Sequence, residues 1–314
     1  MSAADTERDI QPFTLGSTPQ RLRSARGRRD LIAGLLFILP AGIGFGVFYV
    51  YPTVRGIYYS FTTYSLLSPP KWTGLHNYDR LIRDDVLWRS VVVTVEFVFV
   101  TVVLQTLISM VVALLMHRLT RSLVVRGVVL FPFLISGVGV ALAWFWMADF
   151  QIGIINEGLR GLGLPAVAFF GDTHTALLSV AFVSVWRGMG YTALLIFAGL
   201  LTIPSQVFEA AALVGATGMK MLRRITFPLL RPVLAMVLVL TVIGSFQVYD
   251  IVAVTTKGGP IDATRVLSYY IYQLAFTQSD FGYASAISVV LFLVLAVVSF
   301  AQLRLMRADQ SDLA

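Results

Sequence analysis

Three polar residues at the end of an apolar run are the first candidates for a binding site. Gln247, Tyr249 and Asp250 supply an amide, a phenol and a carboxylate, and the run from Pro232 carries no charge before Asp250. Such groups hydrogen-bond to a hydroxyl-rich ligand, and an aromatic face stacks on a sugar ring. Because the same groups also form hydrogen bonds between packed helices, the residue types leave both roles open.

Two further charged residues, Glu96 and Arg187, interrupt other apolar runs. A charged side chain is costly in hydrocarbon, so each is a candidate for a functional role. A structural role is equally compatible with the sequence, because the two side chains could pair with each other or extend to the membrane surface. The sequence does not decide between these roles.

Several kinds of chemistry are excluded by composition. The chain contains no cysteine, which rules out disulfides, thiolate catalysis and cysteine-bound metals. Its three histidines, His76, His117 and His174, lie far apart in sequence. No G-x-x-x-x-G-K-[ST] motif occurs, so the chain does not hydrolyse ATP by that machinery. The sequence therefore predicts no catalytic centre, no metal site and no cofactor.

The elements that must position these residues are membrane helices. Of 314 residues, 57% are apolar and 13% are charged, and the mean hydropathy is +0.79. Positive residues lie at the ends of apolar runs, which favours membrane lipid over nucleic acid as the partner of the +7 net charge. A span needs about 20 apolar residues. We predict an all-α polytopic protein with six spans, at about 31–54, 90–116, 127–148, 175–201, 232–249 and 281–303.

Charge asymmetry predicts the orientation. Six spans place both termini on one side, and that side carries fifteen of the 24 lysines and arginines against eight on the other. The richer side is cytoplasmic. Residues 1–30 read as a disordered basic tail and 306–314 as a second cytoplasmic tail. The first apolar run has no convincing cleavage site, so we predict that it is a retained span.

A polar, basic segment, residues 204–228, separates the fourth and fifth spans. Pro204 suits a first helical turn and Ser205 suits a helix cap. Apolar residues then recur at helical spacing, at Val207, Phe208, Ala211 and Val214. The pattern predicts a short amphipathic helix on the cytoplasmic face, which either docks onto a partner or only links two spans.

The same segment resembles a known family. Glu209-Ala210-Ala211, then Gly215-Ala216, then Ile225 and Pro228, is similar to the EAA loop of bacterial ABC importer permeases. Matches to the sugar-type branch continue over about residues 30–305, at Thr73-Gly74-Leu75-x-Asn77-Tyr78, Trp186-x-Gly188, Gly199-Leu200-x-x-Ile203-Pro204, Gly258-Gly259-Pro260 and Gly282-Tyr283-Ala284-Ser285-Ala286. The chain resembles the first of the two permease subunits in maltose-type and glycerol-phosphate-type importers. It departs from the family at Val214, where an aspartate is frequent.

The resemblance implies the type I ABC importer permease fold with a cytoplasmic coupling helix that enters a cleft on an ATPase subunit. Glu209 would pair with that subunit, small side chains would keep the helix slim, and Gly215 would permit a sharp turn. We refer to residues 204–228 as the EAA segment. The coupling residues expected within it are Glu209, Ala210, Ala211, Gly215, Ala216 and Pro228.

The resemblance also implies partners and a substrate path. The expected partners are a second related permease subunit, two cytoplasmic ATPase subunits and an extracytoplasmic sugar-binding protein, assembled in a bacterial inner membrane. Sugar contacts in such permeases come from the middle of the fourth and fifth spans. In this chain those stretches hold Gly188, Tyr191, Ser245, Gln247 and Tyr249.

Two other classes of function fit the sequence less well than the importer permease. A stand-alone secondary transporter or channel would show internal repeats or more ionisable residues along its spans, and neither is found. A membrane-embedded enzyme would need a cluster of acid, base or metal-binding residues at membrane depth. The spans offer only Glu96, Arg187 and Asp250, with no histidine beside them.

Overall fold

The computed structural model describes residues 21–65, 67–119 and 122–305. The predicted tail 306–314 and most of the predicted tail 1–30 lie outside these residues, but a helix already begins at Arg21. The helices described are α1 (Arg21–Phe45), α2 (Tyr51–Ser60), α3 (His76–Arg83), α4 (Asp85–Leu119), α5 (Leu123–Leu134), α6 (Gly137–Met147), α7 (Ile154–Gly161), α8 (Ala176–Leu201), α9 (Ser205–Leu213), α10 (Met219–Met221), α11 (Phe227–Leu229), α12 (Arg231–Phe246), α13 (Asp250–Thr255), α14 (Leu267–Tyr272) and α15 (Phe281–Leu305).

The chain divides into two compact units, one ending at Arg55 and one beginning at Gly56. In the first unit, α1 leads into a π-helical turn at Gly46–Val50. Pro52 lies two residues after this turn; it has no amide hydrogen to donate to the preceding turn, and its ring crowds the carbonyl four residues earlier. Two further π-helical turns lie in the second unit, at Leu222–Thr226 and Gln273–Thr277.

Five stretches are long and apolar enough to cross a membrane, and a sixth is a bent pair of helices. The five are Ile32–Ser60, Asp85–Leu119, Ala176–Leu201, Arg231–Thr255 and Phe281–Leu305. Counting the bent pair as one span gives the six that the apolar runs predict. The bounds of each span agree with the predicted ones to within six residues at either end.

The predicted third span, 127–148, is not one straight helix. It consists of α5 and α6, whose axes differ by 89°. The backbone is extended at Ile135 and Ser136, between the two helices. Pro132 lies just before this break and Gly137 just after it, and both residue types weaken a continuous helix. The break leaves backbone carbonyls near the end of α5 without a partner in the next helical turn.

The predicted fifth span, 232–249, is also interrupted. Helix α12 ends at Phe246 and α13 begins at Asp250, and Tyr249 between them has φ and ψ of −135° and −55°, outside the helical range. Gln247 and Tyr249 therefore lie at a helix break and not within a regular turn. Their polar side chains are placed where the backbone itself is irregular.

A two-stranded hairpin accompanies the helices at one end of the bundle. Strand β1 (Thr62–Ser65) pairs antiparallel with β2 (Ser68–Trp72). Buried Asn77 donates from Nδ2 to the carbonyls of Ser60 and Thr62, both at 2.9 Å. Gly282 in α15 lies against the carbonyl of Thr62, where a β-carbon would collide with the strand. We call this end of the bundle, with residues 60–65, 67–85 and 267–283, the hairpin end.

The carboxylate of Asp84 links three helices at the hairpin end. Asp84 Oδ2 accepts from the hydroxyls of Tyr270 at 2.7 Å and Tyr283 at 2.6 Å. Asp84 Oδ1 accepts from the amides of Val86 and Leu87 in the first turn of α4, both at 3.0 Å. Burial raises the pKa of Asp84, but the two tyrosine and two backbone hydrogen bonds outweigh burial and hold it below its usual value. This network ties α4 to α14 and α15.

The other end of the bundle is packed around α9. Buried apolar side chains of α4, α8 and α12 meet there, and α9 packs against them. We call this set the α9 cluster, and its buried members are Met110, Ala113, Met116, Ala193, Ile196, Phe197, Leu200, Ile203, Leu230, Leu234 and Val237.

Candidate functional site

Helix α9 lies near the start of the EAA segment and ends in a tight turn. The amide of Gly215 donates to the carbonyl of Ala212 at 3.0 Å, and the amide of Ala216 donates to that of Ala211 at 2.9 Å. These two bonds form a Schellman motif, which requires a left-handed residue after the helix. Gly215 supplies it with φ +77°. The glycine in the predicted turn is therefore required by the backbone conformation.

The two faces of α9 differ in what they contact. Val207 and Phe208 pack against the α9 cluster, and Ala211 is 6% exposed. Glu209 and Ala210 lie on the exposed face. The helix thus presents the Glu-Ala pair outward while its apolar face is anchored to the bundle.

Two details of the predicted helix are corrected. Pro204 occupies the cap position, and Ser205 is the first helical residue without a side-chain capping bond. Val214, expected on the apolar face, is 84% exposed, and the neighbouring Leu213 is 90% exposed. Val214 falls outside the helix because the chain has already begun the turn into Gly215.

The remainder of the EAA segment returns the chain to the bundle. After a second left-handed glycine, Gly218 with φ +54°, the chain forms α10 and a π-helical turn. Pro228 follows that turn in α11 and is half-buried. Leu229 and Leu230 then pack into the α9 cluster. Pro228 is thus placed between the exposed turn and the packed start of α12.

A cavity of about 300 Å³ opens between α4, α5, α8 and α12. All five residues expected on the substrate path line it, namely Gly188, Tyr191, Ser245, Gln247 and Tyr249. Residues between 97 and 251 in sequence contribute to its wall. We call it the polar cavity. Its volume lies at the lower end of those that bind small molecules.

Gly188 makes room for a side chain of the protein. A β-carbon at Gly188 would lie 2.7 Å from Gln105 Nε2, so the Gln105 amide occupies that space. Gln105 Nε2 donates to Thr192 Oγ1 at 2.8 Å. The glycine therefore permits a polar bridge between α4 and α8 that forms part of the cavity wall.

Aromatic rings form two further parts of the wall. Tyr191 stacks on Phe133 with centroids 4.5 Å apart and planes 11° apart. Tyr249 is held among other tyrosines, with ring centroids 4.8 Å from Tyr272 and 6.3 Å from Tyr269. Both cavity tyrosines are thus positioned by neighbouring rings, and Tyr191 remains 37% exposed.

Arg187 and Glu96 do not pair within the described part of the chain. Arg187 lines the polar cavity, and its Nε donates to the carbonyl of Ile135 at 3.4 Å. That carbonyl is one of those left open by the break between α5 and α6. Glu96 lies on an exposed face of α4. The structure therefore separates two residues for which mutual pairing was one of the expected roles.

Asp250 also lines the polar cavity. It packs against Gly137, the first residue of α6, where a β-carbon would lie 2.5 Å from Asp250 Oδ2. The amino-terminal turn of a helix favours a nearby negative charge. Asp250 thus has a favourable electrostatic environment within the protein.

Sequence reasoning missed several residues of the cavity wall. Gln105 and Thr192 were not singled out, although each is a polar residue within an apolar run. Phe133 gave no signal that distinguishes it from other apolar residues of its span. Its place in the wall depends on the break after α5, which the third apolar run did not predict.

Helix α8 connects the cavity with the EAA segment. Its middle turns carry Arg187, Gly188 and Tyr191 into the cavity wall, and its last turns carry Ile196 and Leu200 into the α9 cluster. At 1.5 Å per residue, the nine residues from Tyr191 to Leu200 correspond to about 14 Å. One rigid element thus spans the distance between the two sites.

Comparison with known proteins agrees with this arrangement. Residues 105–308 match the family described as binding-protein-dependent transport system inner membrane component. This match covers α8, the EAA segment and nearly all of the cavity wall. The family match supports the importer permease over the stand-alone channel or secondary transporter.

Two relatives have comparable length. The sulfoquinovosyl glycerol transport system permease protein SmoG of Agrobacterium fabrum is 32% identical over 283 residues, covering 88% of this chain and 91% of the relative. The trehalose/maltose transport system permease protein MalF of Thermococcus litoralis is 34% identical over 274 residues, covering 87% and 92%. These relatives confirm the resemblance to the carbohydrate branch.

A solved structure has the same fold. A chain of a bacterial alginate ABC transporter, crystallised with an alginate pentasaccharide-bound periplasmic protein, superposes with a TM-score of 0.77 at 22% identity. The match covers 92% of this chain and 98% of that chain. With the fold, the EAA segment and the family match in agreement, the chain belongs to the inner membrane component family of binding-protein-dependent transport systems.

Proposed function

We propose that this chain is one of two permease subunits in an ATP-driven importer for sugars, and that it forms half of the translocation pathway. The observation that carries the proposal is the connection made by α8 between the polar cavity and the α9 cluster. The sugar class is supported by the relatives, whose names include trehalose, maltose and sulfoquinovosyl glycerol.

The EAA segment is the contact with the ATPase. Glu209 and Ala210 are exposed on α9, and Gly215 directs the chain away after a single tight turn. A short helix with small side chains fits a narrow cleft, and a carboxylate on it accepts hydrogen bonds or pairs with a cation. Ala211, Ala216 and Pro228 hold this shape through the Schellman bond and the return to the bundle. ATP hydrolysis is the work of the partner subunit.

The polar cavity is this chain's part of the substrate path. Ser245 and Gln247 supply hydrogen-bonding groups, and Tyr191 and Tyr249 supply rings and hydroxyls. Gly188 acts by admitting the Gln105 amide to the wall. Movement of α9 relative to the bundle would displace α8, since both pack in the same cluster, and α8 would change the cavity. This is a two-state linkage between a binding event and a packed bundle.

The complete importer contains further subunits. A related permease supplies the other half of the path, two ATPase subunits bind the two EAA segments, and an extracytoplasmic binding protein delivers the sugar. The assembly lies in the bacterial inner membrane with both termini of this chain in the cytoplasm. Reporter fusions test this orientation, because a fusion at residue 165 should be external and one at residue 220 internal. An external reporter at 220 would separate the EAA segment from any cytoplasmic ATPase.

Reconstitution tests the function directly. This chain, a related second permease and their ATPase are placed in proteoliposomes with the binding protein. We expect sugar uptake that requires ATP, the binding protein and both permeases. Uptake by this chain alone, driven by an ion gradient, would instead establish the secondary transporter.

A further inference from the structure

We propose that Arg187 makes the polar cavity selective for sugars that carry an acid group, such as a carboxylate, sulfonate or phosphate. The inference rests on the proposed function, because it names the substrate class of the same cavity.

Arg187 is the one cationic side chain among the residues that line the polar cavity in the described part of the chain. Its Nε donates to the carbonyl of Ile135 at 3.4 Å, and its guanidinium carbon lies 5.7 Å from the ring centroid of Phe133. Within the described residues, its two terminal nitrogens make no hydrogen bond and no ion pair. Four N–H donors of the guanidinium therefore remain for a ligand.

The acidic residue of the wall does not neutralise this charge. Asp250 packs against Gly137 at the amino-terminal turn of α6, where the helix itself favours a carboxylate. No ion pair joins Asp250 to Arg187 in the part of the chain that the structure describes. Arg187 therefore remains a cation without an ionic partner among the described residues, while Asp250, the one carboxylate of the lining, lies at the start of α6.

The position of Arg187 also suits a ligand bound by its ring. Arg187 and Tyr191 are four residues apart in α8 and both line the cavity, so they lie on one face of the helix. A guanidinium forms two parallel hydrogen bonds with a carboxylate, sulfonate or phosphate. A sugar ring beside Tyr191 would place its acid group within reach of Arg187. A neutral sugar would leave the guanidinium without a partner.

Two structural roles for Arg187 must be distinguished from this one. The side chain could serve only to satisfy the carbonyl of Ile135, or it could pair with Asp250 when the cavity closes. Three variants separate these roles. Arg187→Lys keeps the charge, Arg187→Gln keeps a donor for the carbonyl but removes the charge, and Asp250→Asn removes the acidic partner.

The first measurement probes the charge of the cavity without any substrate. Since the chain has no cysteine, Ser184→Cys places a single thiol in the cavity wall. Its labelling rate is compared for an anionic and a cationic methanethiosulfonate. We expect the anionic reagent to react faster by roughly tenfold, and Arg187→Gln to remove the preference. A preference for the cationic reagent, or no change in Arg187→Gln, would overturn the proposal.

The second measurement is ATP-driven uptake by the complete importer. The probes are matched pairs, hexuronic acids and hexose phosphates or sulfonates against their parent hexoses. We expect uptake of an acidic member and not of its parent. Arg187→Gln should lower that uptake about 10- to 100-fold, and Arg187→Lys should restore much of it. Asp250→Asn should act in the opposite direction, because it removes a negative charge from the wall.

Each result that would contradict the proposal has a different meaning. ATP-driven uptake of neutral hexoses alone would overturn the acid selectivity and leave the proposed function intact. Equal losses in Arg187→Gln and Asp250→Asn would assign the arginine to an internal ion pair. Retained uptake of the acidic sugar in Arg187→Gln, which keeps a donor but no charge, would assign the arginine to the Ile135 carbonyl. Absence of ATP-driven uptake for every probe would overturn the proposed function and this inference together.

Discussion

The EAA segment and the polar cavity, which α8 joins, are built from contacts of different range. In the EAA segment the bonds that shape the turn connect residues three and five apart, from Gly215 to Ala212 and from Ala216 to Ala211. In the cavity the bond from Gln105 to Thr192 joins residues 87 apart, and that from Arg187 to Ile135 joins residues 52 apart. A local motif therefore presents the outer contact, whereas tertiary packing assembles the cavity.

This difference implies that the two regions should fail differently when changed. A substitution in the EAA segment should uncouple transport while the bundle and the cavity remain intact. A substitution in the cavity should change how sugar passes while docking of the ATPase remains. The following experiments test that separation.

The largest effect is expected at Gly215. Gly215→Val forces a β-branched residue to φ +77°, which costs about 1–3 kcal/mol and disfavours the turn. Because a β-carbon there meets open space, the loss comes from the backbone and not from a clash. We expect uptake to be abolished with normal membrane insertion. Gly215→Asn is the matched control, since asparagine tolerates the left-handed region, and it should retain most uptake.

Glu209→Lys should abolish uptake by a different route. The side chain is exposed on α9, so its replacement leaves the α9 cluster unchanged. Reversal of charge at a docked carboxylate costs about 2–5 kcal/mol of binding. Co-purification with the ATPase should fail while the amount of inserted protein is unaltered. Normal ATPase association and uptake in this variant would reduce the EAA segment to a connector.

A smaller effect is expected in the cavity. Alanine at Tyr191, Gln247 and Tyr249 together removes two rings and an amide from the wall. Transport rate or substrate preference should change, because these groups contact the sugar in the proposed path, and ATPase association should persist. Leu178→Ala, on an exposed part of α8, is the control. Unchanged rate and preference in the triple variant would place the substrate path elsewhere.

The smallest effect on transport is expected at Asp84, where the account predicts a loss of stability. Asp84→Asn replaces a carboxylate that accepts four hydrogen bonds, and should lower the free energy of unfolding by about 1–3 kcal/mol. The exposed Asp79, paired with Arg83 at 3.1 Å, gives the control Asp79→Asn with little change.

The lowered pKa of Asp84 predicts that the stability of the fold depends on pH. Because the pKa of Asp84 is lowered in the folded state, its stabilisation is complete above the unfolded value of 3.8 and is lost as pH falls through the lowered folded value. Thermal unfolding of the wild type in detergent should therefore move to lower temperature on acidification. Asp84→Asn should lack this part of the shift. An identical acid response in both proteins would show that Asp84 is not the group responsible.

Local rules account for what the sequence could predict. The short helix of the EAA segment and the turn at Gly215 follow from residue type and spacing, and the structure contains both. The six apolar runs correspond to five helices and one bent pair. The exposed position of Val214 was missed because a helical periodicity does not mark where a Schellman turn ends the helix.

Tertiary contacts account for what was missed. The break at Ile135 and Ser136 exposes a carbonyl that Arg187 reaches from α8, and no pattern within the third apolar run indicates that partner. A glycine at position 188 suggests open space beside the helix, but the Gln105 amide from α4 occupies that space. The carboxylate of Asp84 meets hydroxyls 186 and 199 residues away. Such pairings depend on how the helices pack.

Cross-linking from the exposed face of the EAA segment tests the central claim most directly. The chain has no cysteine, so Leu213→Cys, at a position that is 90% exposed, supplies a single thiol beside Gly215. In the assembled importer this thiol should form a cross-link with the ATPase subunit, and the yield should change when ATP is added. Ile152→Cys, 80% exposed in the loop before α7, is the control and should form none. An ATPase cross-link from Ile152→Cys, or none from Leu213→Cys in an importer active in uptake, would contradict the assignment of the EAA segment as the coupling site.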